Sequence, residues 1–169
     1  MKKIVLLLTI PTVAMLYSCG GPKTDDKPKM AGMMDLDLSA QGLPLTITVP
    51  DSSKGKLEMV VQSWGATEIK VGKNFEVSIS ESEGDIALAK SDIAGNDVNK
   101  FKRYLVDEPT AILWESQITD PEFHFYTIVK AGDKTYVIED IKGDMFSESD
   151  TKIMVESAKS IKAKEAPKS

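Results

Sequence analysis

Leu45, Ile47 and Val49 alternate with Thr46 and Thr48, and Pro50-Asp51 then stops the run. A strict period of two puts every second side chain on one face of an extended strand, so this segment suits a half-buried sheet. The same period recurs in Leu36 and Leu38 against Asp35 and Asp37, in Leu57, Met59 and Val61, in Ile69 and Val71, and in Phe75, Val77 and Ile79. Turn-forming residues at Gln41-Gly42, Gly65 and Gly72-Lys73-Asn74 separate these runs. The first half of the chain is therefore predicted to be antiparallel strands joined by short turns.

The period changes between Ser82 and Val106. Ile86, Ala89, Ile93, Phe101 and Leu105 recur at helical spacing, with Asp85, Lys90, Asp92, Lys100 and Lys102 on the remaining surface. This predicts an amphipathic helix lying on a sheet, ended by Glu108-Pro109. Gly95-Asn96 falls inside it and marks a place to break, because a mid-helix glycine costs ~1 kcal/mol relative to alanine.

Strands are predicted again over Thr110 to Ser116, Glu122 to Lys130 and Lys134 to Lys142, the last two joined by the hairpin signal Ala131-Gly132-Asp133. Phe123, Phe125 and Val129 on one face and Tyr126 and Ile128 on the other suit a central strand covered on both sides. Ser147 to Asp150 supplies an N-cap with an acidic residue three positions later. The helix it opens has a predicted buried stripe of Ile153, Met154, Ser157, Ala158 and Ile161. The fold class expected is α+β, a mostly antiparallel sheet of six to seven strands with helices packed on both faces.

An N-terminal hairpin closing on Val49-Pro50-Asp51, a middle helix, a three-strand meander and a helix opening at Phe146-Ser147-Glu148 together resemble the PsbP-like fold. That architecture also occurs in a Ran-binding nuclear import factor and in bacterial lipoproteins. The resemblance spans residues 34–162 and implies a three-layer domain that binds or assembles with partners; it transfers no catalytic residue.

The N-terminus carries a different signal. Lys2 and Lys3 precede an apolar run from Ile4 to Leu16, shorter than the ~20 residues needed to cross a bilayer and interrupted by Pro11. Cys19 is the only cysteine in the chain, so it has no disulfide partner within it. Leu16-Tyr17-Ser18-Cys19 resembles the lipobox of bacterial lipoproteins, with Tyr17 where a small residue is usual. The resemblance implies cleavage after residue 18 and lipid on Cys19. Residues 19–33 begin with Gly20-Gly21-Pro22 and continue in charge and proline, a composition that forms a solvated tether. Gly20 in place of an inner-membrane-retaining aspartate implies the outer membrane. Lys23-Thr24-Asp25-Asp26 also resembles the surface-export signal of Bacteroidetes lipoproteins, so the domain is expected to face either the periplasm or the cell surface. Residues 34–162 then form one domain, expected to be monomeric, and 163–169 a basic tail.

Charge narrows the partners. The chain has 26 acidic against 21 basic residues, and cleavage removes Lys2 and Lys3 from the basic set. An acidic chain without a basic aromatic stripe is a poor match for nucleic acid, whose binding depends on neutralising phosphates.

Catalytic patterns are sparse. His124, the only histidine, lies between Phe123 and Phe125. It has no second histidine for a zinc site, so a structural role is expected. Ser53-Lys54-Gly55-Lys56 fits a bare Ser-x-x-Lys string but sits in a turn instead of opening a helix. Asp35 and Asp37, or Asn96-Asp97, offer oxygen ligands for Ca²⁺ without a calcium-loop spacing. No metal or cofactor is expected. Trp114 reads as core, whereas Trp64 beside Gly65 is the candidate exposed partner contact. The expected function is thus a lipid-anchored, non-enzymatic envelope protein that binds a partner or assists complex assembly. The alternative is an envelope hydrolase or metal-dependent enzyme with a site near His124. A concave pocket holding His124 with two or more carboxylates would favour the alternative, and a buried His124 the former.

Overall fold

The computed structural model describes residues 31–164. The signal segment, Cys19, the tether to residue 30 and residues 165–169 lie outside the described residues. Among the described residues, ten strands form two sheets and two α-helices accompany them. No helix of the described residues is long and apolar enough to cross a membrane.

The period-two segments form strands as expected. β1 (Met33–Asp37) pairs antiparallel with β2 (Leu45–Pro50), and β10 (Lys162–Ala163) pairs with the other edge of β2, making a three-stranded sheet. β3 (Leu57–Val61), β4 (Thr67–Val71) and β5 (Phe75–Glu81) start a seven-stranded sheet. β6 (Lys100–Glu108), β7 (Ala111–Gln117), β8 (Pro121–Ala131) and β9 (Lys134–Asp140) complete it in the order β3-β4-β5-β9-β8-β7-β6, antiparallel throughout. Gly132 takes φ +65° in the two-residue turn between β8 and β9, a conformation that side chains with a Cβ resist.

α2 (Glu148–Lys159) opens on the expected capping box. Ser147 Oγ accepts the Asp150 N–H, and the Asp150 carboxylate accepts the Ser147 N–H. α2 packs along β8 and reaches β5 and β2. Its Met154, Val155 and Ala158 join Ile47, Val49, Val77, Phe125 and Ile138 in one core. The predicted stripe needs one correction: Ile153 is exposed, and Thr151 and Val155 are buried with Met154, Ser157 and Ala158.

The long helix predicted from Ser82 to Val106 is not formed. α1 covers only Ile86–Ala94, and none of its residues is fully buried. Asn96 Oδ1 accepts the N–H groups of Val98 and Asn99, ending the helix in an Asx turn, and the chain then continues as β6. A separation of four places Phe101 and Leu105 on one side of a helix and equally on one face of a strand, so this pair does not distinguish the two. The pairing of β6 with β7 shifts register between Phe101 and Arg103 and between Tyr104 and Val106, and Phe101 meets Tyr104, three positions on, with ring centres 4.6 Å apart. Pro109-Thr110 ends no helix; it makes the tight β6–β7 turn. α1 is tied to β6 by Lys90, which pairs with Asp107 and lies 5.0 Å from the Tyr104 ring centre.

Candidate functional site: a cleft beside His124

Alternation along β8 sends His124 and Tyr126 to one face and Phe125 into the core. Register sets their neighbours: Trp114 of β7 lies opposite His124, and Glu139 of β9 lies opposite Tyr126. The segment entering α1 meets this face. The Asp85 N–H donates to Tyr126 Oη at 3.4 Å, and Asp85 Oδ1 in turn caps the N–H groups of Ala87 and Leu88. Gly84, at φ +64°, makes that approach feasible, since a Cβ there would stand 2.8 Å from Val137 Cγ2 and 2.9 Å from Ile128 Cγ1. Between α1, these strands and the loop after β9 lies a cleft of about 780 Å³.

His124 forms part of its wall. Nδ1 lies 2.8 Å from Asp140 Oδ2, while Asp140 Oδ1 accepts the Phe125 N–H at 2.8 Å. Asp140 is buried, so both of its oxygens are used by β8. On the other side of the ring, Nε2 lies 3.4 Å from Glu122 Oε2 and 3.3 Å from Asn99 Nδ2, and Asn99 also donates to Glu122 at 3.0 Å. Protonated, Nε2 donates to Glu122; neutral with its proton on Nδ1, it accepts from Asn99. Both forms are therefore satisfied. The Trp114 ring centre lies 5.5 Å from that of His124, the planes tilted by 36°.

Burial pulls the His124 pKa down, but the hydrogen bond and charge of Asp140, followed by those of Glu122, outweigh it and raise the pKa above its ordinary 6.5. Glu139 is raised too, because burial disfavours its charge and Asp140 repels it, with Lys142 only partly opposing. Glu139 accepts no hydrogen bond and forms no ion pair among the described residues.

The cleft brings His124 and Trp114 together with two carboxylates of the His124 cluster, a grouping the sequence did not reveal. Trp114 is half-buried in the cleft wall, not in the core as expected. His124 meets the condition that favours the enzyme alternative, since it stands in a concave site with two carboxylates; it is half-buried, not buried, and both of its ring nitrogens have partners. Asp140 and Glu122 sit at opposite nitrogens, and among the described residues no three His, Cys, Asp or Glu side chains converge to hold a metal ion. Alternation along β8 and β9 could have indicated Glu139; the Asn99–Glu122 contact depends on the Asx turn and has no sequence signal.

The other candidates lie elsewhere. Trp64 is 71% exposed in the β3–β4 turn, next to the exposed Val60 and Val61. Ser53 is in the β2–β3 loop with its N–H donated to Asp51, and Lys56 pairs with Glu58, so the Ser-x-x-Lys string forms no helical nucleophile site. Asp37 binds Lys164 and Ser39, and Asp35 accepts from Thr48 Oγ1. Asn96 is committed to its Asx turn. The chain matches no family model, no curated protein and no solved structure compared with it.

Proposed function

We propose that this is a lipid-anchored, non-enzymatic protein of the bacterial cell envelope, held at the outer membrane through lipid on Cys19, whose monomeric domain binds a partner or ligand in the His124 cleft. The anchor rests on Leu16-Tyr17-Ser18-Cys19 following a short apolar run. The binding role rests on one observation: a cleft of about 780 Å³, within the ~300–1,000 Å³ typical of ligand sites, walled by half-buried aromatic and acidic side chains. The domain faces the periplasm or the cell surface. Helices on opposite faces of the large sheet, as in the PsbP-like three-layer arrangement, belong to the same proposal. They are supported by α2 packing beneath Phe125 while α1 approaches the Tyr126 side of β8.

A hydrolase using His124 is the second candidate, favoured by the concave cleft that holds His124 with two carboxylates and by the Asp140–His124 hydrogen bond that orients the ring as in base-catalysed sites. Against it, Nε2 is already engaged by Glu122 and Asn99, so its lone pair is not directed freely at a substrate.

The deciding experiment is fractionation and envelope pull-down of the full chain, with Cys19→Ala and Trp114→Ala as controls. Cys19→Ala should leave the membrane fraction, and Trp114→Ala should stay in it while losing the captured component. Membrane retention of Cys19→Ala would exclude the lipid anchor; an unchanged capture by Trp114→Ala would exclude the cleft as the binding site.

A further inference from the structure

We propose that the cleft binds a linear polyamine, with one ammonium beside Glu139 and the alkyl stem lying over Tyr126 toward Trp114. This rests on the cleft being a binding site and adds the chemical class of its ligand.

The charge balance points to a cation. Carboxylates of Asp85, Asp92, Glu122, Glu139, Asp140 and Asp144 line the cleft against the cations Lys142 and, when protonated, His124. Most of these carboxylates have partners. Asp85 caps α1, Glu122 and Asp140 hold His124, and Asp144 pairs with Lys70. Asp92 and Glu139 have neither a hydrogen bond nor an ion pair among the described residues; Asp92 is exposed to water, whereas Glu139 is half-buried. An anion removed from water without a partner is costly, and a ligand cation beside it recovers that cost.

The remaining surface selects an organic cation over an inorganic one. The carboxylates do not converge as metal ligands, and the walls between them carry the Trp114 and Tyr126 rings. Leu88, Ile118 and Met145 are exposed by 59%, 58% and 65%, and each lines the same cleft. Such surfaces match methylene groups, and an aromatic face attracts an ammonium. Glu139 stands on β9 and Trp114 on β7, two strands away and about two residues further along. At strand spacings that offset is roughly 12 Å, about the reach of an extended polyamine.

The test is calorimetric titration of spermidine into the full chain in low-salt buffer, with 1,8-octanediol as the neutral control and trilysine as the peptide control. Saturable spermidine binding, weakened by salt and absent for the diol, is expected. Glu139→Gln should weaken it about tenfold or more. The same variant should retain or gain thermal stability, because it removes a poorly hydrated charge. Diol binding as tight as spermidine would remove the charge assignment and leave the cleft as a binding site. Binding of trilysine alone, no saturable spermidine binding, or an unchanged affinity in Glu139→Gln would each overturn the polyamine proposal, whereas failure of the cleft itself is read separately from Trp114→Ala in the pull-down.

Discussion

The carboxylate of Asp140 joins two groups of β8 at once, with Oδ2 at 2.8 Å from His124 Nδ1 and Oδ1 accepting the Phe125 N–H at 2.8 Å. It lies where β9 ends, so it continues the β8–β9 ladder by one side-chain bond. Asp140→Ala would leave a buried N–H unsatisfied and remove the acceptor of the histidine. A destabilisation of about 3 kcal/mol is expected. Asp140→Asn, which keeps one acceptor oxygen, should cost about half as much. Urea unfolding of the two variants measures both, and equal effects would mean that the Phe125 N–H bond contributes nothing.

The charge state of His124 gives stability a pH dependence. Its folded pKa is raised above the unfolded value of 6.5, so the folded state holds the proton more tightly. The stabilisation is fully present below pH 6.5 and is lost as pH rises through the folded pKa. Glu139, also raised, acts in the same direction but over a lower window that begins at its ordinary 4.5. The urea midpoint of the full chain should therefore fall as pH rises above 6.5, and His124→Gln should flatten that part of the profile while leaving the fall that begins near 4.5.

Ser147 offers a local test of the closing helix. Its Oγ accepts the Asp150 N–H at 3.2 Å, and the reciprocal bond from the Ser147 N–H is 3.3 Å. Ser147→Ala should lower stability by about 1 kcal/mol, the usual cost of an N-cap, without altering the cleft. Denaturant unfolding reads the loss, and Ser147→Asp should recover most of it.

Legibility in the sequence followed the regularity of each element. β2, β4 and β5 keep an unbroken period of two and were readable residue by residue, as was the capping box of α2, which requires only Ser147 and Asp150. β6 resists reading because the four-residue separation of Phe101 and Leu105 fits a helix and a strand equally, and its two register shifts leave no clean alternation to decide between them. The cleft was harder. His124 and Trp114 could be assigned to strands, but their adjacency is a matter of β7–β8 register, and no local pattern specifies which residues of two strands face each other. Asn99 reaches Glu122 only because the chain turns at Asn96.

Trp64 and Trp114 separate two kinds of exposed aromatic. Trp64 is 71% exposed on the turn after the edge strand β3, beside Val60 and Val61. Trp64→Ser should change stability by less than about 0.5 kcal/mol, the usual range for a surface position. If this patch contributes to partner binding, the expected change is reduced capture in the envelope pull-down with an unaltered unfolding midpoint. Undiminished capture would assign recognition to the cleft alone.

Gly84 couples the fold to the cleft. Its φ of +64° is unfavourable for a residue with a Cβ, and that Cβ would meet Val137 Cγ2 at 2.8 Å and Ile128 Cγ1 at 2.9 Å. Val137 is 6% exposed and faces Ile128 across the β8–β9 ladder, so neither side chain can yield without disturbing the sheet. Gly84→Ala thus combines backbone strain of ~1–2 kcal/mol with overpacking of ~1–3 kcal/mol, for an expected loss of about 3 kcal/mol. Relief comes most readily by lifting the segment that leads into α1, which lengthens the Asp85–Tyr126 contact and moves Leu88 and Asp92 away from Trp114 and His124. The variant should therefore lose ligand affinity as well as stability, whereas Ser147→Ala loses stability alone. Measuring both quantities in both variants checks the coupling, and Gly84→Ala with reduced stability but unchanged affinity would show that α1 does not help form the binding surface.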